Sequence, residues 1–184
     1  MPASVIRRVL AVSGTPGTGK SALVQCLSER INGSERYCVS VLAEQCNAIF
    51  DRPDCTGTRD VDIEIMTESW PDLSSRFSSE LVLIDGHLSH QLPIDGVILL
   101  RCRPDVLRGR LKMRGWANAK VEENVEAEFL GSIAADVLAD SVSCFEVASH
   151  ELDVMDISDA VIAWIEGGLS TTGPSLDWLE GVHR

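Results

Sequence analysis

Short apolar runs alternate with longer segments of helical periodicity along most of the chain. Strands are predicted for the apolar runs, at about 5–13, 37–41, 81–84, 97–100 and 144–147. Helices are predicted for the remaining periodic segments, at about 20–31, 42–50, 61–77 with a break near Pro71, 106–114, 121–138 and 156–167. Because strands that alternate with helices form a parallel sheet covered by helices, the pattern predicts an α/β fold.

The connection between the first predicted strand and helix fits the phosphate-binding pattern G-x-x-x-x-G-K-[ST] in full. Its glycines let the backbone turn tightly and point N–H groups inward, and the helix start adds the positive end of a dipole. Lys20 is expected to contact the β- and γ-phosphates of ATP, and the Ser21 hydroxyl to bind Mg²⁺. The alternative is a glycine-rich turn that only begins a helix. The predicted nucleotide-binding residues are Gly14, Thr15, Pro16, Gly17, Thr18, Gly19, Lys20 and Ser21.

Asp85 follows directly after the apolar run 81–84. A second Mg²⁺-binding carboxylate is expected at the end of such a strand in proteins with a phosphate-binding loop. The alternative is an aspartate that only begins a turn. His87 is expected either to orient an attacking group near the γ-phosphate or to form hydrogen bonds within the loop. His87 and His90 leave a zinc site open, although no further ligands converge on them in the sequence.

Arg110 and Arg114 lie four residues apart on the predicted helix 106–114, so they share one face. Guanidinium groups stabilise the charge on a phosphoryl group in transfer, and one such arginine contributes about 10³ to 10⁵ in rate. Gly115 could act as the hinge of a lid. The alternative is a solvated basic face that pairs with the acidic side chains at 122, 123, 126 and 128. The sequence favours the lid.

The composition narrows the class of protein further. A chain of 184 residues with 45% hydrophobic and 24% charged residues is typical of one globular domain. Its apolar runs are shorter than the roughly 20 residues of a membrane span, and the N-terminus lacks the apolar core of a signal peptide. Six scattered cysteines without a C-x-x-C pair favour a reducing cytoplasm. A net charge of −12 argues against direct nucleic-acid binding.

Three motifs, in this order, resemble the adenylate kinase isoenzyme 6 family, which includes archaeal adenylate kinases and eukaryotic ribosome-maturation ATPases. The first is the phosphate loop, with Thr15-Pro16 inside it. The second, Asp85-Gly86-His87, is similar to the Asp-x-His of that family. The third consists of residues 110–116 and 120–128, which resemble its lid arm and the helix behind it. The resemblance covers about residues 5–165.

The resemblance implies a P-loop NTPase three-layer core with a parallel central sheet, of the nucleoside monophosphate kinase type. It implies one kinase domain over 1–168, with a nucleoside-monophosphate-binding arm at about 41–77 and a short lid at about 114–121, while 169–184 form a C-terminal tail. It further implies Mg²⁺ and ATP binding, phosphoryl transfer to AMP, slower ATP hydrolysis and a basic small-subunit ribosomal protein as partner. The implied catalytic residues are Lys20, Asp85, His87, Arg110 and Arg114, and the implied metal ligands are Ser21 and Asp85.

One position departs from that pattern. Where the family tends to carry a basic residue in the arm, this chain has Glu44, whose carboxylate would repel an AMP phosphate. Arg52 or Arg59, in the following loop, could bind the phosphate instead. Three functions therefore stay open: an AMP kinase that produces two ADP, a nucleotide-gated ribosome assembly factor that mainly hydrolyses ATP, and a small-metabolite kinase. The lid segment argues against the third.

Overall fold

The main sheet has five strands that are all parallel. In this computed structural model, which describes residues 7–51, 59–170 and 173–178, the strands are β1 (Arg8–Ser13), β2 (Glu35–Cys38), β5 (Leu81–Asp85), β6 (Gly96–Arg101) and β7 (Cys144–Ala148). They run in the spatial order β2-β5-β1-β6-β7, with the first strand at the centre, as in doubly wound α/β sheets.

Eight α-helices are present in the described part of the chain, and they cover both faces of this sheet or extend from its ends. A single turn of 3-10 helix, Ser89–Gln91, follows β5. The helices are α1 (Lys20–Arg30), α2 (Val39–Gln45), α3 (Ile63–Glu68), α4 (Trp70–Ser74), α5 (Pro104–Met113), α6 (Asn118–Phe129), α7 (Ser132–Ala139) and α8 (Val154–Glu166).

Alternation along the strands produces the three layers. Successive side chains of a strand point to opposite faces, so Leu10 and Val12 pack on one side of β1 while Val9 and Ala11 pack on the other. The first face is covered by α1 and α8, with Trp164 at its edge. The second is covered by α2, α3 and α7. The predicted α/β/α core with a parallel sheet is therefore confirmed.

The described residues between 39 and 77 form short elements, whose apolar side chains Leu42, Met66 and Phe77 are buried on the second face of the sheet. After α2 the chain forms an antiparallel two-stranded ribbon, β3 (Ile49–Asp51) and β4 (Arg59–Val61), and then α3 and α4. The predicted helix 42–50 is wrong beyond Gln45, because Ile49 and Phe50 pair with β4 instead. The predicted helix 61–77 is interrupted at Ser69, so that Pro71 lies in the first turn of α4, where its missing N–H has no helical partner to lose.

Further predicted boundaries also differ from the structure. The predicted strand 37–41 is β2 over Glu35–Cys38, since Cys38 is the last residue that pairs with β5 and Val39 begins α2. The predicted helix 121–138 is two helices, since α6 ends at Phe129 and α7 begins after Gly131. The last helix begins at Val154, two residues before the predicted start, because the Asp153 carboxylate accepts hydrogen bonds from the first-turn N–H groups of Met155 and Asp156. No helix in the described ranges is long and apolar enough to cross a membrane.

Candidate active site

The phosphate loop lies where the sequence pattern predicts it, between the carboxyl end of β1 and the start of α1. Because β1 and β5 are neighbouring parallel strands, with Val12 opposite Asp85, the loop and Asp85 meet at the same edge of the sheet. Open α/β sheets bind ligands at this edge.

Packing explains why glycine is needed in the loop. Gly14 has a φ of +139°, and a Cβ there would lie 2.2 Å from the carbonyl oxygen of Leu100 on β6. Gly17 has a φ of +98°, and a Cβ there would lie 2.8 Å from Leu107 and 2.9 Å from Leu111. A side chain at either position would move the loop away from β6 or α5.

The Lys20 side chain folds back over the phosphate loop. Its ammonium donates hydrogen bonds to the carbonyl oxygens of Gly14 at 2.7 Å and Thr15 at 3.2 Å. Burial lowers the pKa of Lys20 to about 8; the Asp85 carboxylate opposes this shift, and the positive charge of Arg114 adds to it. A phosphate group at the loop would favour the charged lysine, since an opposite charge nearby stabilises it.

Ser21 and Asp85 lie side by side at the first turn of α1. The Ser21 hydroxyl donates a hydrogen bond of 2.6 Å to Oδ2 of Asp85. Two hard oxygen atoms so close together fit Mg²⁺, which takes one or two protein oxygens and completes its shell with phosphate oxygens and water. Ser21 and Asp85 would hold the ion, and its charge would offset that of the phosphates.

The two histidines after β5 have different surroundings. His87 is exposed in the loop after Asp85, and desolvation by nearby protein atoms, together with the charge of Lys20, lowers its pKa. His90 is buried, with Nδ1 at 3.0 Å from the Ser13 hydroxyl and Nε2 at 3.4 Å from Asp136. Both ring nitrogens of His90 are thus occupied by protein partners, and no metal-binding group of three or more His, Cys, Asp or Glu occurs in the described ranges. The zinc alternative therefore gains no support.

Arg110 and Arg114 both line a cavity of about 280 Å³ beside the phosphate loop. The Arg110 guanidinium donates hydrogen bonds to the carbonyl oxygens of Ser149 at 3.0 Å and Gly17 at 3.5 Å. Arg114 ends α5 and is exposed. The cavity continues along the loop from Ser149 to Val154 and the first turns of α1 and α8.

Ion pairs of the kind expected for a solvated basic face are formed by two neighbouring residues. Arg108 forms an exposed ion pair of 2.8 Å with Glu122, and Lys120 forms one of 3.4 Å with Glu123. The connection between α5 and α6 is short, spanning 114–117, so the predicted lid 114–121 consists of this connection and the first turn of α6.

Glu44 is paired with a cation rather than isolated. Its Oε1 lies 3.2 Å from the Arg59 guanidinium, and both side chains are about half exposed, at 54% and 53%. Arg52, the other predicted substitute, lies outside the described residues. A basic residue that the sequence reasoning missed is Arg36, on β2, which lines a groove together with Ser21 and Asp85.

Behind the loop lies a buried ion network that the sequence reasoning also missed. Glu128 of α6 is 2% exposed, and its Oε2 accepts a hydrogen bond of 2.5 Å from the Thr15 hydroxyl. Its Oε1 accepts from Arg101 Nε at 2.8 Å. The sequence held a signal for this site, since Glu128 continues the buried stripe of Val121 and Val125 on α6.

Comparison with known proteins identifies the relatives of this chain. A family model described as an AAA domain matches residues 10–131. A protein of Archaeoglobus fulgidus named "Putative adenylate kinase" is 39% identical over 179 residues, covering 95% of this chain and 94% of the relative. A protein of Thermococcus onnurineus with the same name is 33% identical over 176 residues, covering 96% and 94%.

Solved structures agree on the fold. A structure of deoxyadenosine kinase from M. mycoides, with the products dCMP and a flexible dCDP bound, superposes with a TM-score of 0.56 at 16% identity, covering 86% of this chain and 98% of that one. TT1252 from Thermus thermophilus superposes with a TM-score of 0.55 at 14% identity, covering 89% and 98%. At such identities the likeness concerns the fold alone. The match over nearly the whole length of the archaeal proteins goes further: this chain belongs to their adenylate kinase family.

Proposed function

We propose that this protein is a nucleoside monophosphate kinase that transfers the γ-phosphoryl group of ATP to AMP and produces two molecules of ADP. The observation that carries the proposal is the meeting of Lys20, Ser21 and Asp85 at one end of a phosphate loop, with the Ser21–Asp85 hydrogen bond of 2.6 Å. The names of the archaeal relatives support AMP as the acceptor.

The donor nucleotide would lie along the phosphate loop, with its base and ribose in the cavity beside it. That cavity is lined by apolar side chains, among them Leu152 and Val154, and by two guanidinium groups. Such a mixture suits an aromatic base attached to a charged chain. Arg110 is already fixed against Gly17 and Ser149, so it needs little reorganisation to contact phosphate oxygens.

The transfer needs no strong base, since a phosphate oxygen of AMP is itself the nucleophile. That oxygen forms a bond to the γ-phosphorus, and the bond from the γ-phosphorus to its bridging oxygen breaks. Both products are therefore ADP: one is the phosphorylated acceptor, and the other is the donor without its γ-phosphoryl group. Lys20, Arg110 and Arg114 would stabilise the charge on the phosphoryl group in transfer. Neutral His87 would orient the acceptor by hydrogen bonding, because its lowered pKa keeps it uncharged near pH 7.

The test is an initial-rate assay with MgATP and a panel of nucleoside monophosphates, with ADP and inorganic phosphate measured in parallel. AMP-dependent ADP formation without phosphate release is expected. Lys20→Ala should lower the rate on the order of 10³-fold, because it removes a preorganised charge from the transferred group. The matched control is Lys112→Ala, an exposed lysine on α5 that does not line the nucleotide cavity. Full activity of a folded Lys20→Ala protein would refute the proposal.

A role in small-subunit ribosome maturation, with ATP hydrolysis as the main activity, is the second candidate. The charge of the protein favours it: the net charge is −12, and Glu126 on α6 is exposed beside Glu122 and Glu123, which already pair with Arg108 and Lys120. A net negative charge attracts a basic partner, as a small-subunit ribosomal protein is. Phosphate release that does not depend on AMP and rises when such a protein is added would support this candidate over the first.

A further inference from the structure

The C-terminal segment 173–178 binds to the buried network behind the phosphate loop. Oε2 of Glu146 accepts hydrogen bonds from the backbone N–H groups of Ser175 at 2.5 Å and Leu176 at 2.8 Å. The carbonyl oxygen of Leu176 accepts one of 3.1 Å from Arg101. Within the described residues, the tail therefore has defined polar partners as far as Trp178.

Trp178 connects this segment to Glu128. Its indole Nε1–H donates a hydrogen bond of 3.1 Å to Oε1 of Glu128, and its ring lies 5.6 Å from the Arg101 guanidinium. The carboxylate of Glu128 then has four donors, which occupy both oxygens. They are Arg101, the Cys102 N–H, Trp178 and the Thr15 hydroxyl.

Thr15 is itself part of the phosphate loop. Its carbonyl oxygen accepts from the Lys20 ammonium at 3.2 Å and from the Thr18 hydroxyl at 2.9 Å. The chain of contacts therefore runs from Trp178 through Glu128 and Thr15 to Lys20. A second contact leads toward the cavity, because the Trp178 ring packs edge-on against His150, which follows the Arg110 partner Ser149.

We infer that Glu128 is a positioning residue that fixes the phosphate loop through Thr15, and that Trp178 completes this hold, so the C-terminal segment sets the affinity for the donor nucleotide. The physical reason is burial. The side chains of Arg101, Glu128 and Glu146 are 3%, 2% and 3% exposed, so each must keep its partners inside the protein. If the indole donor is lost, water enters or Glu128 shifts toward Arg101, and Thr15 loses its fixed acceptor.

The matched substitutions are Trp178→Phe and Trp164→Phe. Each removes one indole hydrogen bond, but the Trp164 bond of 2.8 Å goes to the Ser170 carbonyl oxygen, away from the loop. Trp178→Phe should weaken ATP binding by about 3- to 10-fold in calorimetry, less than the full worth of a hydrogen bond to a charged group, because only part of that loss passes through Glu128 and Thr15 to the loop. In rate measurements the KM for ATP should rise while the KM for AMP stays unchanged. Trp164→Phe should lower the melting temperature without changing ATP affinity.

A second measurement uses the unmodified protein and stays informative if a variant fails to fold. The four tryptophans give four indole N–H resonances in a ¹⁵N-correlated spectrum. Adding MgATP should move the Trp178 resonance, although Trp178 does not line the nucleotide cavity, and should leave that of Trp164 in place. The inference rests on the proposed function, and the two fail differently. ATP binding with an unmoved Trp178 resonance and an unchanged Trp178→Phe affinity overturns the inference alone, whereas a flat ATP titration overturns both.

Discussion

The two sides of the candidate site are built with different degrees of burial. On the donor side, the phosphate loop packs against β6 and α5, and Thr15 hydrogen-bonds to a carboxylate that is 2% exposed. On the proposed acceptor side, the described residues of 39–77 form short helices and a two-stranded ribbon, and the charged pair Glu44–Arg59 is about half exposed. The charged groups of the donor side are therefore buried and preorganised, whereas the charged pair of the proposed acceptor side lies at the surface, on a segment whose apolar residues pack on the sheet.

This difference fits the demands of the reaction. The donor phosphates carry the charge that changes during transfer, and fixed dipoles stabilise such charge best when they need no rearrangement. The acceptor must enter, be selected and leave, which favours surface charges whose pairing can change. Substitutions of the tightly packed loop glycines should accordingly affect the whole fold, and substitutions of the exposed Glu44–Arg59 pair should affect one Michaelis constant.

The largest effect is expected from Gly14→Ala. A methyl group there meets the Leu100 carbonyl oxygen at 2.2 Å in a left-handed backbone conformation. The free energy of unfolding should fall by about 2–5 kcal/mol, from overpacking and backbone strain together, as measured by urea titration.

Two control substitutions accompany this one. Gly19→Ala separates overpacking from backbone strain, and Asp62→Ala compares the phosphate loop with the segment 39–77. Gly19 also has a positive φ of +107°, but no atom beyond its immediate chain neighbours lies within 4 Å of the position that a methyl group would take there, so Gly19→Ala should cost only about 1–2 kcal/mol of strain. Asp62→Ala removes the side chain that accepts a hydrogen bond from Ile65 N–H at the start of α3, and should cost about 1 kcal/mol. Equal losses for Gly14→Ala and Asp62→Ala would contradict the contrast between the two sides.

The next effect in size is a fall in ATP affinity at alkaline pH. In the free protein the pKa of Lys20 is lowered to about 8, so the ammonium loses its proton as the pH rises through that value. Bound phosphates raise this pKa again, and binding therefore takes up a proton above pH 8. The dissociation constant of ATP should be nearly constant below pH 8 and rise by about tenfold per pH unit above it. Calorimetry in two buffers of different ionisation enthalpy measures the proton directly.

The pH dependence that Lys20 gives to the folding equilibrium has the opposite sign to the one it gives to ATP binding, which provides an independent test. The unfolded lysine keeps the usual pKa of 10.5, so between pH 8 and 10.5 the unfolded chain binds more protons than the folded one. This group alone then makes folding more favourable as pH rises, while it makes ATP binding less favourable. Lys20→Arg keeps its charge throughout, so its ATP affinity should show no such slope. A slope that persists in this variant would assign the proton to another group.

The sequence correctly predicts where the phosphate loop and Asp85 lie in the fold, because the signals there are local. The loop pattern between an apolar strand and a helix, and the aspartate that ends β5, identify residues that the parallel order of the strands then brings together. The arm was harder, because its ribbon is made by pairing between Ile49 and Val61, which no local periodicity indicates. Glu128 was missed for a related reason. Its position on the apolar stripe of α6 is local, but its partners Arg101 and Trp178 are 27 and 50 residues away.

The smallest expected effect concerns the acceptor constant alone. Arg59→Gln leaves the Glu44 carboxylate without this cation, so the KM for AMP should rise a few-fold; Glu44→Gln frees the guanidinium and should lower it by a similar factor. Because an exposed ion pair is worth about 0.2–1 kcal/mol, neither change should alter the free energy of unfolding by more than that amount. The KM for ATP should stay constant.

Arg76→Gln is the matched control on the same segment, since Arg76 contacts Gln45 rather than Glu44. Raising the salt concentration should reduce both effects, as screening weakens exposed charges most. If both variants leave the KM for AMP unchanged while Arg36→Gln raises it, the acceptor phosphate lies in the groove of Arg36, Ser21 and Asp85 and the Glu44–Arg59 pair only stabilises the arm.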